Sequence, residues 1–132
     1  MSQNSHVQVI KPETGEILIE KARWCQRWSC HWRGLQFRRH LGTREALILA
    51  YPSESIPWTA IHMLFVFFPL AAVWIDAQQR VVWTQLAQPW RLYYASPSPA
   101  RYVLEASPEI LHRVMIGDRL EFIPLPLPST IK

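Results

Sequence analysis

Glycine is scarce in this chain of 132 residues, 4 in all against 11 prolines, which excludes a glycine-rich loop whose backbone N–H groups cradle a phosphate. No Gly-x-Ser-x-Gly elbow and no His-Glu-x-x-His helix is present, so the common hydrolase signatures are missing as well. Cysteine is nearly absent. Cys25 and Cys30 are too few for a disulfide framework, and both are expected to be reduced. Long apolar runs are lacking too: the longest, Ile61 to Ile75, contains His62 and Pro69 and falls short of the roughly 20 residues that span a bilayer. No membrane partner is therefore expected. Met1 to His6 is polar, without a basic stretch leading into an apolar one, so no secretory leader is expected and the cytoplasm is the expected address.

Aromatic and basic residues are plentiful. With 49% hydrophobic residues, 7 Trp, 5 Phe and 4 Tyr, the chain carries more apolar surface than a disordered segment keeps in water and has the size of one domain, 1–132. The net charge of +4 is concentrated in Lys21 to Arg44, which holds Lys21, Arg23, Arg27, Arg33, Arg38, Arg39 and Arg44 and no acid. Arginine suits bidentate contacts to phosphate or carboxylate and stacking on aromatic rings.

Val7 to Ile10 and Glu16 to Ala22, separated by Pro12, Thr14 and Gly15, predict an N-terminal hairpin over 7–22. Trp24, Trp28, Trp32 and Leu35 fall near helical spacing and predict a helix over Gln26 to Arg38. Short runs of strand composition follow at Ala46 to Ala50, His62 to Phe67, Ala71 to Asp76, Arg80 to Leu86, Tyr102 to Glu105 and Arg119 to Ile123. Prolines and the Asp76-Ala77-Gln78-Gln79 turn interrupt them, which predicts many short strands in a sandwich or barrel. A second short helix is expected at Pro108 to Met115, with Ser107 as N-cap and Gly117 as its stop. The tail 124–132, beginning Pro124-Leu125-Pro126-Leu127-Pro128, is expected to be extended.

An ordered set of segments carries a family resemblance: Arg33-Gly34-Leu35, Glu45 to Leu49, the central Ile61 to Leu70 followed by Val73-Trp74-Ile75-Asp76, then Arg80-Val81-Val82, Pro89-Trp90-Arg91, Tyr102 to Glu105 and Gly117 to Leu120. Over about 22–123 this resembles the domain of unknown function 192, a bacterial and archaeal family without a settled activity. The resemblance implies a mainly β fold, a compact β-sandwich or jelly-roll-like barrel with one or two short helices. The family commonly has Asp where this chain has Ala71 and often Cys near Ser53, so any chemistry resting on those residues is expected to be lost here.

Several residues invite chemistry. His62 is a titratable group in an apolar run; it is either satisfied within the fold or looks into a pocket, with Asp76 or Glu105 as a carboxylate partner. Trp58, Arg91, Tyr93 and Tyr94, with Ser96 and Ser98, compose a polar and aromatic rim on loops, where binding residues concentrate. Cys25, Cys30, His31 and His40 are zinc-ligand types at the wrong spacing, so no metal and no cofactor is expected. Arg23, Arg27, Arg33, Arg38 and Arg39 with the interleaved tryptophans could bind single-stranded nucleic acid; the alternative is a tryptophan stripe packed on a sheet with a solvated arginine face. The leading expectation is a non-enzymatic domain binding a small molecule or a protein through His62, Trp58 and the Arg91 to Tyr94 loop. The alternatives are an enzyme using His62 with a nearby carboxylate, and a nucleic-acid binder.

Overall fold

The computed structural model describes residues 6–26 and 45–125. Seven strands form one sheet in the order β5-β4-β6-β3-β2-β1-β7: β1 His6–Lys11, β2 Glu16–Cys25, β3 Glu45–Ser55, β4 Leu70–Ile75, β5 Val81–Ala87, β6 Ala100–Ala106 and β7 Glu121–Pro124. The mainly β expectation holds. All neighbours are antiparallel except β2 and β3. β1 and β2 make the expected hairpin, turned by Gly15 at φ 79, a conformation that glycine adopts without steric cost.

The sheet does not close into a barrel, yet its edges are joined near one end. Val81 at the start of β5 donates to Asp118 O and accepts from Gly117 N, and Leu120 N, just before β7, donates to Gln79 O. These bonds occupy backbone groups that an open edge would leave exposed for another chain.

Both faces of the central strands are covered, which is why Leu70-Ala71-Ala72-Val73-Trp74-Ile75 is buried throughout and shows no polar alternation. The inner face gathers residues from every strand, among them Val9, Ile19, Ile48, Val73 and Leu104. Across it Ala22, Ala46, Ala106 and Ala71 lie in one row of directly paired positions. Four small side chains in line make a shallow strip in the core that also holds Ile110 and Val114. At the rim of this core the ring of Trp24 lies 5.9 Å from Tyr102 and 5.5 Å from Phe122.

Four local expectations are corrected. Trp24, whose spacing helped suggest the helix over Gln26 to Arg38, belongs to β2. Beyond Gln26 the predicted helix itself, with Trp28, Trp32 and Leu35, lies outside the described residues. His62 to Phe67 is not a strand; Ile61 makes a single bridge to Tyr94 and the chain then turns. Pro108 to Met115 is only a 3-10 helix, Pro108–His112, with Pro near its start but no capping bond from the Ser107 side chain. Without that cap the first turn's N–H groups lose a partner that would favour a longer α-helix. Finally, Cys25 is disulfide-bonded rather than a free thiol; the other cysteine, Cys30, lies outside the described residues, as does the tail beyond Leu125.

Candidate functional site

β3 and β4 both pair antiparallel with β6, so they run parallel on either side of it, and the chain between them must cross the length of the sheet. β5 and β6 both pair antiparallel with β4, which forces a second crossing in the opposite sense. Both crossings, 56–69 and 88–99, cover the outer face: Ile61, Met63, Val66 and Tyr94 join the cluster that holds Leu49, Trp74 and Val103. Trp74 fastens the first crossing by donating from Nε1 to Thr59 O at 2.8 Å. The crossings then pair with each other. Ile61 N donates to Tyr94 O at 2.8 Å, Tyr94 N to Ile61 O at 2.9 Å, and Met63 N to Arg91 O at 2.6 Å.

Each crossing makes a tight turn beside this pairing. Val66 N donates to Met63 O at 3.0 Å, and Arg91 N to Gln88 O at 3.4 Å. The third residue of each turn has a positive φ, Phe65 at 61° and Trp90 at 69°. Glycine or asparagine normally holds that place; a side chain there costs about 1–2 kcal/mol. Met63 O ties the two turns together, because it also accepts from Trp90 N at 2.8 Å. The consequence is an aromatic cluster: the Trp90 ring meets Phe65 edge-on at 5.1 Å and Phe67 at 5.6 Å. None of these rings is buried. Phe65 is 39%, Trp90 47% and Phe67 50% exposed, with Leu92 and Tyr93 more exposed still. Proteins rarely leave so much contiguous apolar surface in water without a use for it.

The residues singled out by sequence fall into two groups. His62, Arg91, Tyr93 and Tyr94 come together on the paired crossings, with Trp58 at the start of the first. His62 is half-buried, and its Nδ1 accepts the Leu64 N–H at 3.3 Å; Tyr94 is half-buried, with its hydroxyl accepting the Gln88 N–H at 2.9 Å. Trp58 and Arg91 are exposed.

Asp76 and Glu105 lie on other parts of the chain, the β4–β5 turn and β6. Asp76 belongs to the β4–β5 turn, where Oδ1 accepts from Gln78 N and Arg80 N, each at 2.9 Å. Glu105 sits within β6, directly opposite Leu47 on one side and Ala72 on the other. Burial between such apolar neighbours raises its pKa to about 7. It also contributes, after burial, to holding the Tyr51 phenol up at about 12. Of the nucleic-acid candidates, Arg23 lies on β2; Arg27, Arg33, Arg38 and Arg39 lie outside the described residues. Cys25, as half of a disulfide, offers no thiolate to a metal.

Phe65, Phe67 and Trp90 are not among the residues that sequence singles out. The available signal was Pro89, which presets the second position of a turn and so places Trp90 at the third. Phe65 carries no comparable mark.

A β sheet covered on its outer face by two paired crossings defines the class of protein, and comparison defines the family. The model of the domain of unknown function 192, described as Uncharacterized ACR, matches residues 9–122. The chain belongs to that family. It is 31% identical over 109 residues to a UPF0127 protein of Pyrococcus furiosus, covering 81% of this chain and 90% of that one. A UPF0127 protein of Thermococcus kodakarensis is 25% identical over 118 residues, covering 88% and 73%. Among solved structures, a Sinorhizobium meliloti protein described as a "putative transcription regulator" superposes with a TM-score of 0.78 at 21% identity, covering 92% of this chain and 97% of its own. A Novosphingobium aromaticivorans protein of unknown function gives 0.76 at 22%, covering 88% and 83%. These likenesses are of fold.

Proposed function

We propose that this chain is a non-enzymatic binding domain whose contact surface is the outward side of the paired crossings, centred on Trp90 and including Trp58, His62, Arg91 and Tyr93. The observation that carries this reading is the backbone of Phe65 and Trp90. Left-handed backbone at two bulky residues persists only where the surroundings enforce it, and such strain concentrates at functional sites. Here it aims two rings outward that an ordinary turn would have replaced with glycine. The enzymatic reading has less support, because Asp76 is engaged by its own turn and Glu105 is set among apolar neighbours in the sheet.

The compartment belongs to the same proposal. Among the described residues no helix is long and apolar enough to cross a membrane. A disulfide at Cys25 is kept in oxidising compartments, which weighs against the cytoplasmic address expected from the sequence.

The test is a thermal-shift screen of the wild type, His62→Ala and Trp90→Gly against metabolites, peptides, short RNA and duplex DNA, since a ligand that binds the native state raises its melting temperature. A shift seen in the wild type and lost in the folded variants supports the surface. A shift that both variants retain in full places binding elsewhere and sinks the assignment.

A further inference from the structure

The outward surface of the crossings has a charge pattern as well as a shape. Residues 55–75 and 77–104 contain no Asp or Glu, so the two crossings themselves contribute only His62 and Arg91 as charged or titratable groups besides tyrosine; the acids that adjoin them are Glu54 near the end of β3, Asp76 in the β4–β5 turn and the buried Glu105 of β6. Arg91 is exposed immediately beside Trp90 and Leu92, and His62 lies half-exposed on the neighbouring crossing. Aliphatic and aromatic side chains of both crossings are exposed: Leu64 is 36%, Leu92 68%, Tyr93 65% and Trp58 77%.

From this, and resting on the binding reading above, we infer that the surface docks onto an anionic phospholipid bilayer, with the Trp90, Phe67 and Leu92 side chains entering the headgroup region and Arg91 facing lipid phosphate. Three features select lipid over other anionic partners. Tryptophan and tyrosine favour the membrane–water interface, where one end of the ring is apolar and the other wet. A single-stranded nucleic acid asks for a groove of several cations tracking its backbone, whereas Arg91 is the one arginine between Ser55 and the end of the second crossing apart from Arg80 at the β4–β5 turn. Exposed leucine gains nothing from stacking on bases but does gain from contact with acyl chains. The contact is peripheral, which the short apolar runs of the sequence permit; they argue only against spanning.

The experiment is co-sedimentation of the full chain with vesicles of phosphatidylcholine alone and with vesicles of an equimolar mixture of phosphatidylcholine and phosphatidylglycerol. The expected result is sedimentation with the mixed vesicles, weaker with phosphatidylcholine and falling as salt is raised. Arg91→Ala should bind the mixed vesicles about fivefold more weakly, the loss of one basic residue at an anionic surface. Trp90→Gly and Phe67→Ser should each bind at least about tenfold more weakly; Phe67→Ser, at a position of ordinary φ, guards against a folding defect peculiar to Trp90. No sedimentation with mixed vesicles overturns the inference, as does sedimentation that all three variants leave unchanged. If vesicles are not bound but a peptide, RNA or duplex DNA shifts the melting temperature of the wild type and not of Trp90→Gly, the lipid is wrong and the binding surface stands. If vesicles bind unchanged in the variants and no soluble ligand responds to them, both fall.

Discussion

The two faces of this sheet are built by different rules. The inner face draws on all seven strands and on the segment around the 3-10 helix, and its side chains meet in regular register over a row of alanines. The outer face is covered by two irregular crossings that bury Ile61, Met63 and Val66 toward the sheet and turn Phe65, Phe67 and Trp90 toward solvent. One face has a single task, stability. The other divides its residues between holding the sheet and meeting a partner, and changes to each set should separate accordingly.

The largest effect is expected where the crossing is fastened to the sheet. Trp74 is fully buried and bonded to Thr59 O, so Trp74→Ala should destabilise by about 4 kcal/mol through lost burial and the cavity left behind. Leu104→Ala on the inner face should cost about 3 kcal/mol, while the exposed Phe67→Ala stays within about 1 kcal/mol. Denaturant titration of the three checks the order. A cost at Phe67 equal to that at Leu104 would mean the display side is structural after all.

The next effect depends on pH. Burial raises the Glu105 pKa to about 7 from the ordinary 4.5, so between these values the folded chain holds a proton that the unfolded chain has released. Its contribution to stability is fully present below pH 4.5 and is lost as pH rises through 7. The loss reaches about 3 kcal/mol, because a tenfold change in proton affinity between the folded and unfolded chains is worth about 1.4 kcal/mol. Glu105→Gln should therefore gain on the wild type by about that amount at pH 8 and by nothing near pH 4. Because other carboxylates titrate in both proteins, the quantity to measure is the difference between their unfolding free energies across this range. A flat difference would show that Glu105 reaches solvent or a partner when charged.

Glu105 also shows what the sequence could and could not disclose. Its place in a strand was legible, because Tyr102 to Glu105 has β composition; its burial was not, because that depends on β3 and β4 flanking β6 out of chain order. The hairpin, the Asp76 to Gln79 turn and most strands follow from local chemistry and were expected. The crossings follow from topology. A run such as Ile61 to Phe68 has strand composition, and only the need to travel from β3 to the parallel β4 makes it a cover instead. Nor could composition place Trp24 in β2, where its ring packs on Tyr102 and Phe122. For the candidate surface, sequence supplied His62, Trp58, Arg91, Tyr93 and Tyr94; the cluster of Phe65, Phe67 and Trp90 needed the two turns.

A chemical check follows for the disulfide. Under denaturing conditions a thiol-alkylating reagent should label Cys25 only after reduction, as peptide mass mapping would show. Labelling of Cys25 without reductant, in protein purified under non-reducing conditions, would restore the free thiol expected from the sequence and with it the case for the cytoplasm.

The smallest effect isolates the backbone strain from the rings it presents. Trp90→Ala and Trp90→Gly both remove the indole and its contacts with Phe65 and Phe67, so they differ only in the β-carbon. At φ 69 that carbon is the source of the strain, and Trp90→Gly should be the more stable of the two by about 1 kcal/mol. At Phe67, which is not among the positive-φ residues, the order should reverse, with Gly less stable than Ala by about 0.5–1 kcal/mol because its unfolded chain is freer. The sign change is the informative quantity, since it cancels what each ring contributes. If Gly is the less stable at both positions, Trp90 sits in relaxed backbone, and the reading of its turn as one built to present a ring loses its physical ground.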